Sequence, residues 1–389
     1  MALPLQDVKI IEMGNFGPST YGVFMLGDLG ADIIRVKPPP HPSRPKAGSA
    51  EYDEDGTAIP PGGVIWHRNK QEISLNLRMP EAQEVFYELA READVVVEAN
   101  RPGVLDRLGV GYERVSQINP RIIYCSVTGY GQEGPYKMNP GHDACWTGVA
   151  GALYLTGISL GNLGNRRQKP EVAQRLVTHH AASHYTAMAI LAALLARERT
   201  GRGQHVDVSN CDSLVGVVYE PEDIFLTGHS PGWNIYEAKD GKYIAVGARD
   251  ERTWTDLCQA LGKGYWASQL QDQSEWEDIR AELRAIFLTR TRQEWWRFFQ
   301  DKGTAVAPVL TLDEVSHDPQ VRQRQMLLEL ELPNGGKTVH YGIAMKLQGT
   351  PGKVRSLPPG ESQHTTAVLK RLGYDDARIQ ELRASGAVH

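Results

Sequence analysis

The chain has 389 residues, 41% of them hydrophobic and 23% charged, with a formal net charge of −5. That length is enough for one large or two medium domains, and the mild acidic excess without a basic stripe argues against a nucleic-acid partner. No apolar run reaches the roughly 18 residues of a membrane-spanning helix, so no membrane partner is expected.

Met1 to Lys9 lacks a basic segment followed by an apolar run and a cleavage site. No secretory signal is read, and a cytoplasmic location is expected. The four cysteines, Cys125, Cys145, Cys211 and Cys258, are scattered without a CxxC pair. They are read as free buried thiols.

Val8–Glu12 is an apolar strand, and Gly14–Pro18 is turn chemistry. Tyr21–Leu29 has helical spacing, and Ile33–Val36 begins a second strand. Strand, turn, helix, strand is a parallel βαβ unit. The helix Pro80–Glu92 and the strands Val95–Glu98 and Ile122–Val127 continue the alternation, which defines an α/β class with a doubly wound, Rossmann-like sheet. Pro38–Gly63, rich in Pro, Gly and charge, is a long surface loop. Ala181–Arg199 is the clearest helix, with Arg197 and Arg199 suiting its negative end and Gly201 its cap. Tyr185 and Met188 on it are read as core.

Near Gly232 the pattern changes. Lys239-Asp240-Gly241-Lys242 between two apolar runs is a hairpin signal. Amphipathic helices follow at Thr253–Leu261 and Arg292–Gln300. The expected organisation is a large domain over 1–224, a smaller α+β domain over 225–325, and a segment, 326–389, that returns to the large domain.

Several polar residues carry two readings. His142 and Asp143 stand where a helix cap is expected, so a structural use is open beside a chemical one. His180 and His184, four apart, share a helix face and mimic half of a metal site; without a third ligand at recognisable spacing, no metal is expected. Arg35 and Lys37 end the second strand, where the crevice of such sheets opens, and suit phosphates; the alternative is ordinary surface charge. Gly129–Gly134 allows backbone to approach a ligand closely, or is only a tight connection. Gly14–Gly17 lacks the GxGxxG spacing, which leaves a nicotinamide enzyme as a distant alternative.

Five stretches in order then give a resemblance. They are Leu26-Gly27-Asp28-Leu29-Gly30-Ala31-Asp32-Ile33-Ile34-Arg35-Val36; Glu98-Ala99-Asn100-Arg101-Pro102-Gly103-Val104 with Leu108-Gly109; Tyr124 to Gly134; Gly141-His142-Asp143; and Ile190 to Asp207, containing Arg197-Glu198-Arg199-Thr200-Gly201-Arg202-Gly203-Gln204. Tyr236–Gly247 and Ala307-Pro308-Val309-Leu310 extend the match. Together they resemble the class III CoA-transferase family (CaiB/BaiF type), which includes the α-methylacyl-CoA racemases.

The resemblance implies a Rossmann-like large domain, a small domain, and a dimer whose chains interlock like linked rings. It implies coenzyme A thioesters and carboxylic acids as substrates, without a metal. Arg35, Lys37, Asn69, Lys70, Arg101 and Gly129 are the expected CoA-binding positions, with His67 and Arg68 in the same basic stretch. In the transferases an aspartate attacks the thioester and forms a mixed anhydride. It stands just before the Ala-rich helix, and that position holds His179 here. No Asp or Glu lies between Glu171 and Glu198.

The expected site residues are therefore His179, His142, Asp143 and Asp250, the last where racemases carry a glutamate. Three functions follow: the non-acylated subunit of a heteromeric CoA-transferase, partnered by an Asp-containing homologue; a racemase using His142 and His179 as two bases, imidazoles being competent at neutral pH; or a non-catalytic CoA-ester binder. A homodimer and a heteromer both remain open.

Overall fold

The structure is a computed structural model that describes residues 2–14, 17–39, 51–52, 58–59, 64–156, 177–218, 229–332 and 335–389. It divides into two compact units. One comprises Met1–Ala152, Ala173–Val218 and Arg322–His389; the other comprises Leu153–Val172 and Tyr219–Val321.

The first unit opens with strand β1 (Lys9–Met13), helix α1 (Pro18–Asp28), strand β2 (Asp32–Lys37), strand β3 (Lys70–Ser74), helix α2 (Pro80–Glu92) and strand β4 (Val95–Glu98). Strand β5 (Ile123–Thr128), helix α3 (Asp143–Val149), helix α4 (Val177–Thr200), strand β6 (Gln204–Ser209) and helix α5 (Asn210–Val218) follow. The six strands form one sheet in the order β3-β2-β1-β4-β5-β6. Every neighbouring pair is parallel. This is the doubly wound order, in which ligands commonly bind outside the carboxyl ends of the strands where the order reverses, here between β1 and β4.

The central strands β4 and β5 are buried on both faces, which explains near-continuous runs such as Val95–Val97 rather than alternation, whereas the edge strand β6 is largely exposed. One face packs against α2, with Val85, Phe86 and Leu89 in its core. The other packs against α1 and α4 through Val23, Leu26, Ala187, Ile190 and Ala193. Gly22 permits that second packing: a Cβ there would lie 2.9 Å from the Ser183 carbonyl of α4. Proline at the first position of α1 and of α2 starts each helix where no intrahelical N–H bond is lost. Arg197, expected only to complement a helix end, also pairs with Asp94 at 2.8 Å.

The second unit contains strand β7 (Trp233–Glu237), strand β8 (Tyr243–Gly247), helix α6 (Glu251–Ala260), helix α7 (Trp276–Phe287), helix α8 (Arg292–Phe299) and strand β9 (Val306–Pro308). The hairpin expected around Asp240-Gly241 is present as β7 paired antiparallel to β8, with β9 on the other side of β8. Its core is aromatic, with Tyr236, Trp254, Trp266, Phe287, Trp295 and Phe299 together.

Strand β10 (Leu327–Glu331) and strand β11 (Lys337–Tyr341) then form a hairpin. Helix α9 (Thr365–Arg371) and helix α10 (Asp376–Ala384) close the chain, and their Val368, Leu369, Ile379 and Leu382 join the α2-side core. These two helices, and α7, were not expected from the sequence. Of the loop expected at Pro38–Gly63, most lies outside the described residues; residues 51–52 pair antiparallel with 58–59. Met188, expected in the core, is exposed, and so is Cys145.

The C-terminal segment is tied to the sheet by buried charge. Arg68 donates to both carboxylate oxygens of Asp28, at 2.9 and 2.6 Å, and to the Tyr341 carbonyl at 2.6 Å. Asn69 donates to Asp28 at 2.8 Å and to the Lys353 carbonyl at 3.1 Å, and its oxygen accepts from the backbones of Arg355 and Ser356. Burial is the larger influence on Asp28 and raises its carboxyl, with Arg68 opposing. Replacing Arg68 by Met leaves Asp28 buried and unpaired. The expected loss is about 3–5 kcal/mol of stability in urea unfolding. A loss below ~1 kcal/mol, the range of exposed pairs, would contradict the assignment.

Candidate active site

The expected site residues fall into three groups. The first assembles around the heads of α3 and α4. His142 is the N-cap of α3, with extended backbone, but its side chain makes no capping bond. It is exposed, and Asp143, the first residue of the helix, is buried. The reason lies in α4. The first four N–H groups of a helix have no intrahelical acceptor. The third residue of α4 is His179, and its backbone N–H donates to Asp143 Oδ1 at 3.3 Å. The other oxygen of Asp143 accepts from the Thr147 hydroxyl at 3.3 Å. Thr147 in turn lies 3.2 Å from the Thr178 hydroxyl. Asp143 therefore acts as a remote cap that holds the start of α4 against α3.

The His179 ring lies 6.2 Å from the indole of Trp146, and the His142 ring lies 6.4 Å from the same indole. Trp146 thus has both imidazoles for neighbours. Burial pushes the His179 imidazole below its ordinary value; the Asp143 carboxylate opposes this, and His180 and His142 add to the lowering. His179 is consequently neutral at pH 7, with nitrogen lone-pair chemistry available. The helix is described from Val177, earlier than the expected Ala181, and His179 is its third described residue. His180 and His184 lie beside Tyr21, with ring centroids 5.3 and 6.4 Å away.

The second group was expected to meet the phosphates of CoA, and the structure gives these residues partners within the chain. Arg35 is wholly buried, donating to Glu72 at 2.8 Å and to the Gly14 carbonyl at 3.4 Å. Lys37 lies 3.6 Å from the same Glu72. Lys70 is also buried, donating to Glu12 at 2.8 Å and to the Thr20 carbonyl at 3.2 Å. Burial brings its ammonium down to about 8 against the pull of Glu12. Asn69 is the pin of the C-terminal segment described above. These groups are engaged inside the fold, Lys37 least completely, with 14% of its side chain exposed. Arg101 differs: it is exposed in the turn after β4, beside the point where strand order reverses.

Gly129 does allow a close approach, but to Trp146: a Cβ there would meet the indole nitrogen at 2.5 Å. The third group is Asp250. It caps α6 of the second unit, accepting from the Thr253 backbone at 3.0 Å and from the Thr253 hydroxyl at 2.7 Å. Those bonds lower its carboxyl, and they account for the residue as a helix cap.

Trp146 and Thr147 carry no motif and were not anticipated. The available signal is spacing: both follow Asp143 by about one helical turn, after glycines at 129 and 141 and ahead of α4.

Comparison with known proteins identifies the family. The description "CoA-transferase family III" matches residues 5–365. The chain is 32% identical to human succinyl-CoA:glutarate CoA-transferase, over 99% of this chain and 90% of that protein. It is 30% identical to the beta subunit of succinyl-CoA–L-malate CoA-transferase of Chloroflexus aurantiacus, over 99% of this chain and 98% of that subunit. A crystal structure of a CAIB/BAIF family protein from Brucella suis superposes with a TM-score of 0.77 at 26% identity, covering 96% of this chain and all of that one. The chain belongs to the class III CoA-transferase family. No helix among the described residues is long and apolar enough to cross a membrane.

The lowered His179 value has a definite sign. In the unfolded chain the imidazole protonates near 6.5, and in the fold it does so lower, so between those values the unfolded state binds more protons. The stability contribution is full above pH 6.5 and is lost as pH falls through that window. Several other histidines are shifted the same way, so the difference between wild type and His179→Asn isolates this one. The variant is expected to lose less stability than wild type between pH 7 and pH 5 in parallel melts. An NMR titration midpoint for His179 at or above 6.5 would contradict the assignment.

Proposed function

We propose that this chain binds acyl-CoA thioesters and acts as the subunit of a heteromeric CoA-transferase that is not itself acylated, beside a homologous subunit that carries the aspartate. The observation that carries the proposal is the chemistry at the head of α4. His179 stands there, no Asp or Glu occurs between Glu171 and Glu198, and the nearby carboxylate of Asp143 is engaged by the α4 backbone and by Thr147. Moving CoA between two carboxylates through the enzyme requires an enzyme acyl carbon to hold the thiolate as a thioester. An imidazole can take up an acyl group but has no such carbon. Similarity to a named beta subunit along nearly its whole length suits a chain that works in a heteromer.

In this reading the CoA thioester lies at the carboxyl ends of the strands. Arg101 is the cation placed to meet a phosphate, since Arg35 and Lys70 are ion-paired inside the fold. The acceptor is a carboxylic acid. Interlocked pairing of two related chains, as the family resemblance implies, brings a partner's aspartate into the assembly.

A second reading is favoured by one observation: a neutral His179 and an exposed His142 share Trp146 as neighbour. Two imidazoles so placed suit α-proton exchange on a 2-methylacyl-CoA. A third reading, binding without turnover, needs only the CoA contacts.

One assay series separates the three. Succinyl-CoA and a panel of carboxylates are offered to the purified chain alone and together with an aspartate-containing homologue from its own genome. Transfer is expected only with both chains present. Transfer by the lone chain contradicts the proposal, and solvent deuterium entering the α-position of a 2-methylacyl-CoA with the lone chain establishes the second reading. Tight binding of the ester without turnover in any combination leaves the third.

A further inference from the structure

We infer that the indole N–H of Trp146 is the hydrogen-bond donor to the acyl carbonyl oxygen of the bound thioester. The inference rests on the acyl-CoA reading above and adds to it a residue that distinguishes a thioester from CoA itself.

Trp146 is buried, 8% exposed, and its Nε1 has no hydrogen-bond partner. Three other buried indoles are satisfied. Trp254 donates to the Trp266 carbonyl at 2.8 Å, Trp276 to the Leu270 carbonyl at 3.0 Å, and Trp295 to the Phe287 carbonyl at 2.8 Å. A buried N–H without an acceptor costs about 1–3 kcal/mol, so its persistence points to an acceptor supplied from outside the chain.

The location says which acceptor. A Cβ at Gly129 would stand 2.5 Å from Nε1, and one at Gly141 would stand 2.7 Å from it. Both glycines lie on the stretch between the carboxyl end of β5 and α3, on the crevice side of the sheet. The indole nitrogen is thus lodged against bare backbone on the ligand side. The rings of His142 and His179 lie 6.4 and 6.2 Å from the indole. A thioester bound at the head of α4 brings its carbonyl oxygen to this neighbourhood. Indole is a donor only, so it accepts no competing proton and selects an oxygen lone pair. A carbonyl oxygen fits; the thiol of free CoA is a weak acceptor.

The test compares two ligands that differ at one oxygen, acetyl-CoA and its thioether S-ethyl-CoA, by titration calorimetry on wild type and Trp146→Phe. Phenylalanine keeps an aromatic wedge and removes the donor. The variant is expected to bind acetyl-CoA about five- to tenfold more weakly, with S-ethyl-CoA affinity unchanged. Equal weakening of both, or of neither, overturns the inference while leaving the acyl-CoA reading standing. Failure of wild type to bind either ligand overturns both. Should the variant not fold, the indole N–H signals of the unaltered, nitrogen-15-labelled protein decide. One of them must shift downfield with acetyl-CoA and not with S-ethyl-CoA, and the absence of any such signal overturns the inference.

Discussion

Asp143 accepts the backbone N–H of His179, and that single contact sets the head of α4 against α3. The bond answers a need that every helix has, an acceptor for its first-turn donors. By meeting it with a carboxylate from another helix, the fold brings His142, Trp146 and His179 together and engages the carboxylate there. The chemistry open to the chain follows. The side chain at this place is an imidazole whose neutral form burial favours, not a carboxylate able to form a mixed anhydride.

A second constraint runs through the sheet. Glu12, Asp28, Arg35, Arg68, Lys70 and Glu72 are all buried near the β1–β2–β3 side, as pairs at 2.6–2.8 Å. Breaking any pair strands a charge, so these residues specify one register of strands and one seat for the C-terminal segment. Pairing with Asp28 and Glu12 offsets the desolvation cost of Arg68 and Lys70 and lets so basic a stretch as His67 to Lys70 sit away from solvent. It also gives Arg35, Asn69 and Lys70 partners within the chain, whereas Arg101 is exposed in the turn after β4.

The fold was legible where one element dictates its own period. Pro80–Glu92 and Val95–Glu98 are found at the residues expected from amphipathic spacing and from a continuous apolar run. The hairpin at Asp240-Gly241 was legible from turn chemistry alone. The helices α9 and α10 were not, since few of their residues are apolar and they become helices by packing on the α2 side of the sheet. At the site, the absent carboxylate near His179 could be read directly from the sequence. The burial of Arg35, Asn69 and Lys70 could not, because their partners Glu72, Asp28 and Glu12 are separated from them along the chain by 37, 41 and 58 residues. Trp146 was hidden for the same reason: its neighbours Gly129 and His179 come from other elements.

The central claim is that this chain handles acyl-CoA without becoming acylated itself, and intact-mass spectrometry tests it most directly. The chain is incubated with succinyl-CoA and an acceptor carboxylate, alone and with its aspartate-containing homologue, then quenched in acid and weighed. The account predicts an unmodified mass for this chain in both cases and an acyl or CoA adduct on the homologue. A stable adduct on this chain, mapped by peptide digestion to a carboxylate such as Asp143, would contradict it.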